Sequence, residues 1–488
     1  MQEVLLVEVV DLDSAAVVHG SAELADRGPA RDRVVRALRR RWPVAAGLVV
    51  LLLVGAVAAG VRARDRVARL AAQPGVLAPL DPSLHEVWRE PMRGWGQLIT
   101  VGGDILLFGP DEHQAAAVVS FDGITGRQKW SAPLPEMPGR GDVRCVALGG
   151  ARPADAARVA CRVLPVSSVG ADEGPAGPAT LVVLDASTGR RVAQHRLDSV
   201  NVSIVPFGSD LVLTEVGADG HATVQRADPI TGQVRWTFRS AQPLRSPSGP
   251  FWFDPSVQHG VIVANGPVTW AFAPDGKVLG EWHLQGGDWS VTGGWGLNVT
   301  VLPDGRFAVG ESGGVGLTDA DYGTVSTTAA RDGFRIPGPV LSPSVDDGSA
   351  PGILFTVPTG HLGAIAFDFG TGKRMWESNW AHVGGALVLD GRLIAMTGGR
   401  LLAVDARSGR QLWSVEVPRG NYGEQLFTDG RVVVVPMYDP DRGAVLTAFA
   451  AADGREQWMA SLPAGTNHFE VSNHRLMALT DQDLVALG

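Results

Sequence analysis

The chain has 488 residues, 45% hydrophobic and 19% charged, enough for a large folded core and unlike a disordered or collagen-like composition. Its net charge of −9 is unevenly spread: residues 1–84 hold 11 arginines against nine acids, whereas the other 404 hold 31 Lys/Arg against 42 Asp/Glu. An acidic body argues against nucleic acid as a partner, and 62 glycines point to many tight turns rather than long helices.

Residues 1–42 read as a cytoplasmic tail. Its stretch EVLLVEVVDLD alternates acidic and apolar residues, a pattern that either adds a strand to a partner's sheet edge or forms an unattached terminus. Next comes PVAAGLVVLLLVGAVAAGV (43–61), 19 residues without a charge. At about 1.5 Å per residue it spans roughly 28 Å, close to a bilayer core, and predicts one transmembrane helix. Six arginines (Arg31, Arg33, Arg36, Arg39, Arg40 and Arg41) precede it, and four arginines with one aspartate follow. That asymmetry predicts a cell-membrane protein with its N-terminus inside and its C-terminal body outside. A cleaved signal peptide is the competing reading, but 42 residues precede the run and 19 is long for a signal's apolar region. No cysteine lies near the segment to carry a lipid anchor. Residues 62–84 read as a membrane-proximal linker and 85–488 as the main domain.

Cys145 and Cys161, the two cysteines of the chain, sit in VRCVALGG and VACRVLPV. If these apolar stretches pair as a hairpin the sulfurs can meet in a disulfide, which suits an exported domain; two buried free thiols are the alternative.

From residue 120 on, one pattern recurs. Its turn glycines are Gly126, Gly189, Gly232, Gly276, Gly372, Gly409 and Gly454. Four positions before five of them stand Asp122, Asp185, Asp228, Asp368 and Asp405, and one position before the same five stands Thr or Ser. Four positions after the glycine comes Trp130, Trp236, Trp376, Trp413 or Trp458; Trp282 comes at six, and Ala193 replaces the tryptophan once. An aspartate caps backbone N–H groups two and three residues on, and glycine supplies the positive φ that ends such a hairpin loop. A tryptophan at fixed depth in each unit is placed to dock on its neighbour, and small residues two before the aspartate position (Ser120, Ala366, Ala403, Ala448) leave room for it. Within 384–413 the runs GGALVL, RLIAMT, RLLAVD and RQLWSV read as four short strands. Four strands recurring at a fixed period predict an all-β propeller, and no helical period competes beyond the anchor.

The run LLAVDARSGRQLW resembles the tryptophan-docking repeat of the PQQ-like, or quinoprotein-type, β-propellers, and the resemblance extends over about 85–488. Outer-strand landmarks fall at Trp130, Ala193, Trp236, Trp282, a degenerate one near Val325, Trp376, Trp413 and Trp458. HEVWRE, with Trp88, reads as an orphan fourth strand that completes the C-terminal blade and closes the ring. Eight blades are expected; nine is the literal count, with the stretch 283–340 the least regular.

The quinone enzymes of this family imply a cofactor, calcium, a catalytic aspartate and two adjacent cysteines. Here the cysteines are 16 positions apart and no calcium-loop spacing occurs, so no cofactor, metal or catalytic residue is expected, and the repeat's Asp and Trp read as turn and docking residues. GESGG at 310–314 matches a nucleophile pattern around Ser312 but lacks the helix that must follow it. His468 and His474 are six apart, without metal-ligand spacing. The unit ending at Ala193 is longer than its neighbours and contains PVSSVGADEGPAGPA, either a recognition loop or a neutral insertion. The expected function is a non-catalytic protein- or ligand-binding platform in the cell envelope. The alternatives are a quinone-dependent dehydrogenase or other enzyme of the propeller face, and a propeller factor that assists envelope protein assembly.

Overall fold

A computed structural model describes the chain from Leu70 to Gly488 outside 92–97, 111–115, 135–140, 151–155, 166–176, 245–252, 284–297, 312–323, 326–332, 359–362, 381–382, 418–424 and the single positions 72, 74, 198, 200, 201 and 267. The tail 1–42, the segment 43–61 and linker residues 62–69 therefore lie outside the described residues, as do Ser312 and most of the PVSSVGADEGPAGPA insertion. Among the described residues, no helix is long and apolar enough to cross a membrane.

Those residues form nine antiparallel-rich sheets that succeed one another along the chain as blades of a propeller. We number them 1 (98–133), 2 (141–196), 3 (202–239), 4 (254–283), 5 (298–337), 6 (353–377), 7 (383–416), 8 (427–461) and 9 (466–487). The count is the literal one of the landmarks, one more than the eight expected. The additional unit is blade 5, whose spatial strand order departs from its sequence order: Phe307–Glu311 pairs in parallel with Gly333–Pro337, and the short Thr324–Val325 lies at the edge. Its landmark is therefore not Val325 but Phe334, on the neighbouring strand.

Glu86–Pro91 supplies the fourth strand of blade 9 by pairing antiparallel with Asp483–Leu487. The first strand of the domain thus closes the last blade, and the edge of that sheet is paired. Blade 6 has three strands and blade 7 has five, because Val345–Asp346 lies parallel against Val383–Leu389. The described residues between 70 and 84 form a strap over blades 7 to 9. Leu77 N–H donates to Thr428 O at 2.8 Å, Ala78 N–H donates to His474 O at 2.6 Å, and Gln73 Nε2 donates to Asp346 O at 2.6 Å. Leu70, Val76, Leu77 and Leu80 are buried there.

The core lies between successive blades. Between blades 7 and 8, for example, Leu387, Ile394 and Leu401 meet Val433, Val435 and Val445, each at most 1% exposed. Burial of each such side chain stabilises by about 1.5–3 kcal/mol, and β-branched residues suit a pleated surface packed on both faces.

Candidate functional site

The repeated turn is built around its aspartate. In blade 1 the Asp122 carboxylate accepts Thr125 N–H (2.8 Å), Thr125 Oγ1–H (2.9 Å) and Ile124 N–H (3.1 Å), while Gly126 N–H closes the turn on Asp122 O (2.8 Å). The same donors recur around Asp185, Asp368 and Asp405, and around Asp228 the N–H groups of Ile230 and Thr231 donate. Hydrogen bonds hold all five carboxyls below the ordinary aspartate range. The leading ones are the Thr125 N–H at Asp122, the Ser187 hydroxyl at Asp185, the Thr231 N–H at Asp228, the Thr371 hydroxyl at Asp368 and the Ser408 hydroxyl at Asp405. These carboxylates are occupied by their own turns.

One residue before Trp130 the strand bulges. Ser120 pairs with Trp130 but Phe121 pairs with Gln128, and equivalent shifts stand at Trp236, Trp376, Trp413 and Trp458. Strict alternation from glycine to tryptophan is therefore interrupted, and the bulge turns the indole toward the next blade. The small residues Ser120, Ala366, Ala403 and Ala448 are the direct cross-strand partners of Trp130, Trp376, Trp413 and Trp458.

Each indole then packs on the following turn. Trp130 lies against Gly189, Trp236 against Gly276, Trp376 against Gly409 and Trp413 against Gly454. Their Nε1–H groups donate to Ala186 O (3.1 Å), Pro274 O (3.0 Å), Ala406 O (2.9 Å) and Ala451 O (3.3 Å). Trp88 lies on Gly126 and so joins blade 9 to blade 1. Trp282 meets Phe307 edge-on at 5.0 Å, and Trp458 packs in the cluster that includes Phe469 and Leu476 of blade 9. Phe334 takes the docking position over Gly372. The position of Phe334 could not be found by counting from a turn glycine, because no glycine of blade 5 has both the capped aspartate four before it and a tryptophan four after it.

The joint between blades 2 and 3 is different. Ala193 stands where the tryptophan would be, paired with Val183. His195, two residues on, lies over Gly232, with Nε2 3.1 Å from both Pro229 O and Ile230 O. A cavity of about 380 Å³ opens beside it, lined among others by Leu181, Leu197, Leu211, Leu213, Glu215 and Gln225. Deeper in the same joint, Arg162 is 2% exposed. It pairs with Asp142, donates Nη1–H to Val202 O at 3.0 Å, and leaves its Nε without a partner among the described residues. Desolvation pulls this guanidinium below its ordinary pKa, against the attraction of Asp142.

Cys145 and Cys161 are cross-strand partners in blade 2, 4.0 Å apart at Cα and joined as a disulfide. His468 lies in the inner strand Thr466–Ser472 of blade 9 and His474 in the hairpin after it, where Nδ1 stands 2.8 Å from Val76 O of the strap. On the same strand, burial pushes the Glu470 carboxyl up to about 7.

A succession of mostly four-stranded units, most of them docked by tryptophan over a glycine turn, defines a PQQ-like β-propeller. A family model described as outer membrane protein assembly factor BamB matches residues 118–283 and 361–488. The chain belongs to that family. Among solved structures it is similar to BamB from Moraxella catarrhalis, with a TM-score of 0.45 and 14% identity over 83% of this chain and 99% of that one. It is also similar to the quinohemoprotein alcohol dehydrogenase ADHIIG from Pseudomonas putida HK5 (TM-score 0.47, 12% identity, 87% and 81% covered). The quinohemoprotein alcohol dehydrogenase from Comamonas testosteroni gives 0.44, 15%, 86% and 79%. No curated protein matches the chain.

Proposed function

We propose that this protein is a non-catalytic propeller that assists protein assembly in the cell envelope, held at the membrane by the apolar segment 43–61 with the propeller outside. The observation that carries the reading is the family match over 118–283 and 361–488. It moves the assembly factor, an alternative on sequence grounds, ahead of a general binding platform. The absence of a cysteine for lipidation is then met by the uncharged 43–61 run as the anchor.

The site chemistry supports binding rather than turnover. The most regular polar residues, the five turn aspartates, are engaged by their own N–H and hydroxyl groups. The described residues do not supply the adjacent cysteines and grouped acidic ligands of a quinone–calcium centre of the dehydrogenase type. Cys145 and Cys161 bridge adjacent strands inside one sheet, and among the described residues no three His, Cys, Asp or Glu side chains are grouped to hold a metal.

Crosslinking of the full-length protein in native membranes tests the proposal. A discrete envelope protein should be captured through the propeller. Stoichiometric quinone on the purified protein, with alcohol or aldehyde turnover, would replace the proposal with the enzymatic reading. Protease added to intact cells should degrade the propeller; complete protection would overturn the outside placement.

A further inference from the structure

Each of the nine joints between successive blades has one buried apolar cluster, and among the described residues the one between blades 2 and 3 is the smallest. It holds five buried residues, Leu148, Ala160, Leu181, Val183 and Leu211, against eighteen between blades 7 and 8. Blade 3 contributes Leu211 alone to it. The rest of the blade 3 wall is half-buried at Leu213, Glu215, Thr223 and Gln225. A cavity of about 380 Å³ opens between that wall and Leu181 and Leu197 of blade 2, where protein interiors are ordinarily packed to the density of organic crystals.

The two sides of this joint are held differently. On the inner side, Gly149 N–H donates to Gly208 O at 2.9 Å, and Arg162, paired with Asp142, donates Nη1–H to Val202 O at 3.0 Å. The disulfide between the cross-strand partners Cys145 and Cys161 keeps blade 2 a single plate behind these bonds. On the outer side the imidazole of His195 stands where regular joints put an indole. A Cβ added to Gly232 would be 3.2 Å from that ring, whereas at Gly189, Gly276, Gly409 and Gly454 it would be 2.4–2.7 Å from the indole. The smaller ring covers less apolar wall than an indole. Its polar closure is Nε2, 3.1 Å from both Pro229 O and Ile230 O.

A joint tied along one edge and thinly packed along the other has the geometry of a hinge, and regions with few buried apolar contacts open at the lowest cost. We propose that the outer half of the joint between blades 2 and 3 is a conformational gate. It is hinged on the bonds from Gly149 to Gly208 and from Arg162 to Val202, and latched by His195 on the carbonyls of Pro229 and Ile230. Opening uncovers Leu181 and Leu211, which are 3% and 0% exposed when the joint is closed. The inference rests on the packing of this joint and is independent of the assembly reading.

The test uses full-length protein with its disulfide intact and one buried reporter thiol at a time. Leu211→Cys reports this joint and Val433→Cys, between blades 7 and 8, is the control. Leu211 and Val433 each pair with the residue five before the turn glycine, and each is 0% exposed. Both variants are treated under native conditions with iodoacetamide and with fluorescein maleimide, a rigid reagent too bulky for the closed joint, and modification is followed by mass. The control reads global unfolding, so Leu211→Cys should react at least tenfold faster with both reagents. Adding His195→Ala, which removes the latch, should speed that reaction at least threefold further. Adding Ala193→Trp, which supplies the missing indole, should slow it toward the control, and His195→Ala carries the test if this variant fails to fold. Equal rates for the two reporters overturn the proposal. So does reaction with iodoacetamide alone, which marks a fixed cavity, and so does a Leu211→Cys rate that His195→Ala leaves unchanged.

Discussion

Trp376 and Gly409 belong to consecutive blades, and a Cβ added to Gly409 would stand 2.7 Å from Cδ2 of that indole. Gly409 also has a φ of +70°, whereas Gly443, paired with Asp439 in the blade 8 hairpin between Val432–Asp439 and Gly443–Ala450, has a φ of +79° and nothing within 4 Å of an added Cβ. Gly443→Ala therefore measures backbone strain alone, about 1 kcal/mol. Gly409→Ala adds displacement of the ring and should cost about 3 kcal/mol in chemical denaturation. Equal losses would show that the joint tolerates the methyl.

Trp376 separates ring from hydrogen bond. Trp376→Phe keeps most of the apolar contact but removes the Nε1–H donated to Ala406 O, a loss of about 1 kcal/mol. Trp376→Ala empties the joint and should cost about 3 kcal/mol, toward the low end for large-to-small changes because the ring is half-buried. A Phe variant as unstable as the Ala variant would mean that the hydrogen bond, rather than the packing, holds the joint.

The turn aspartates set an acid limit. Their folded pKa values lie below the ordinary one, so their contribution is present above about pH 3.9 and is lost as pH falls through the folded values. Unfolding midpoints measured between pH 6 and 2 should fall in the wild type. The decline should be shallower after Asp368→Asn with Asp405→Asn, and an unchanged slope would rule these carboxylates out.

Glu470 acts in the opposite direction. Burial raises its pKa from 4.5 to about 7, so the folded state retains a proton that the unfolded chain releases. Its stabilising contribution is complete below pH 4.5 and is lost as pH rises through 7. Glu470→Gln should match the wild type at pH 4 and exceed its melting temperature at pH 8. Parallel behaviour at both values would contradict the burial effect.

The disulfide between Cys145 and Cys161 closes a loop with a sequence separation of 16, for which chain entropy gives about 3 kcal/mol. The double substitution Cys145→Ala and Cys161→Ala should lower stability by that order, and reduction of the wild type should have a similar effect. No change in either case would mean that blade 2 is held by its sheet alone.

Much of the architecture was legible because it repeats. A turn that needs Asp at one position, Thr or Ser three later, Gly next and Trp four beyond leaves a trace wherever the chain folds that way. Trp88 stood out as a fourth strand without its first three, and Glu86–Pro91 does complete blade 9. Blade 5 is the exception: no tryptophan follows its turn glycines at the regular spacing, and Phe334 docks instead from a strand paired in parallel. The irregular joint was visible only as Ala193 in place of tryptophan. That His195 reaches Gly232, and that Glu215 and Gln225 face the gap from the next blade, depends on residues with no fixed separation along the chain.

Turn chemistry is local: an aspartate meets N–H groups two and three residues away, so composition and spacing alone determined the hairpins, the period and the membership of an all-β repeat fold. Packing is not local. The bulge before Trp413, the strap residues Val76 and Leu77 against blades 8 and 9, and the cavity beside His195 were decided by which surfaces meet when the blades come together.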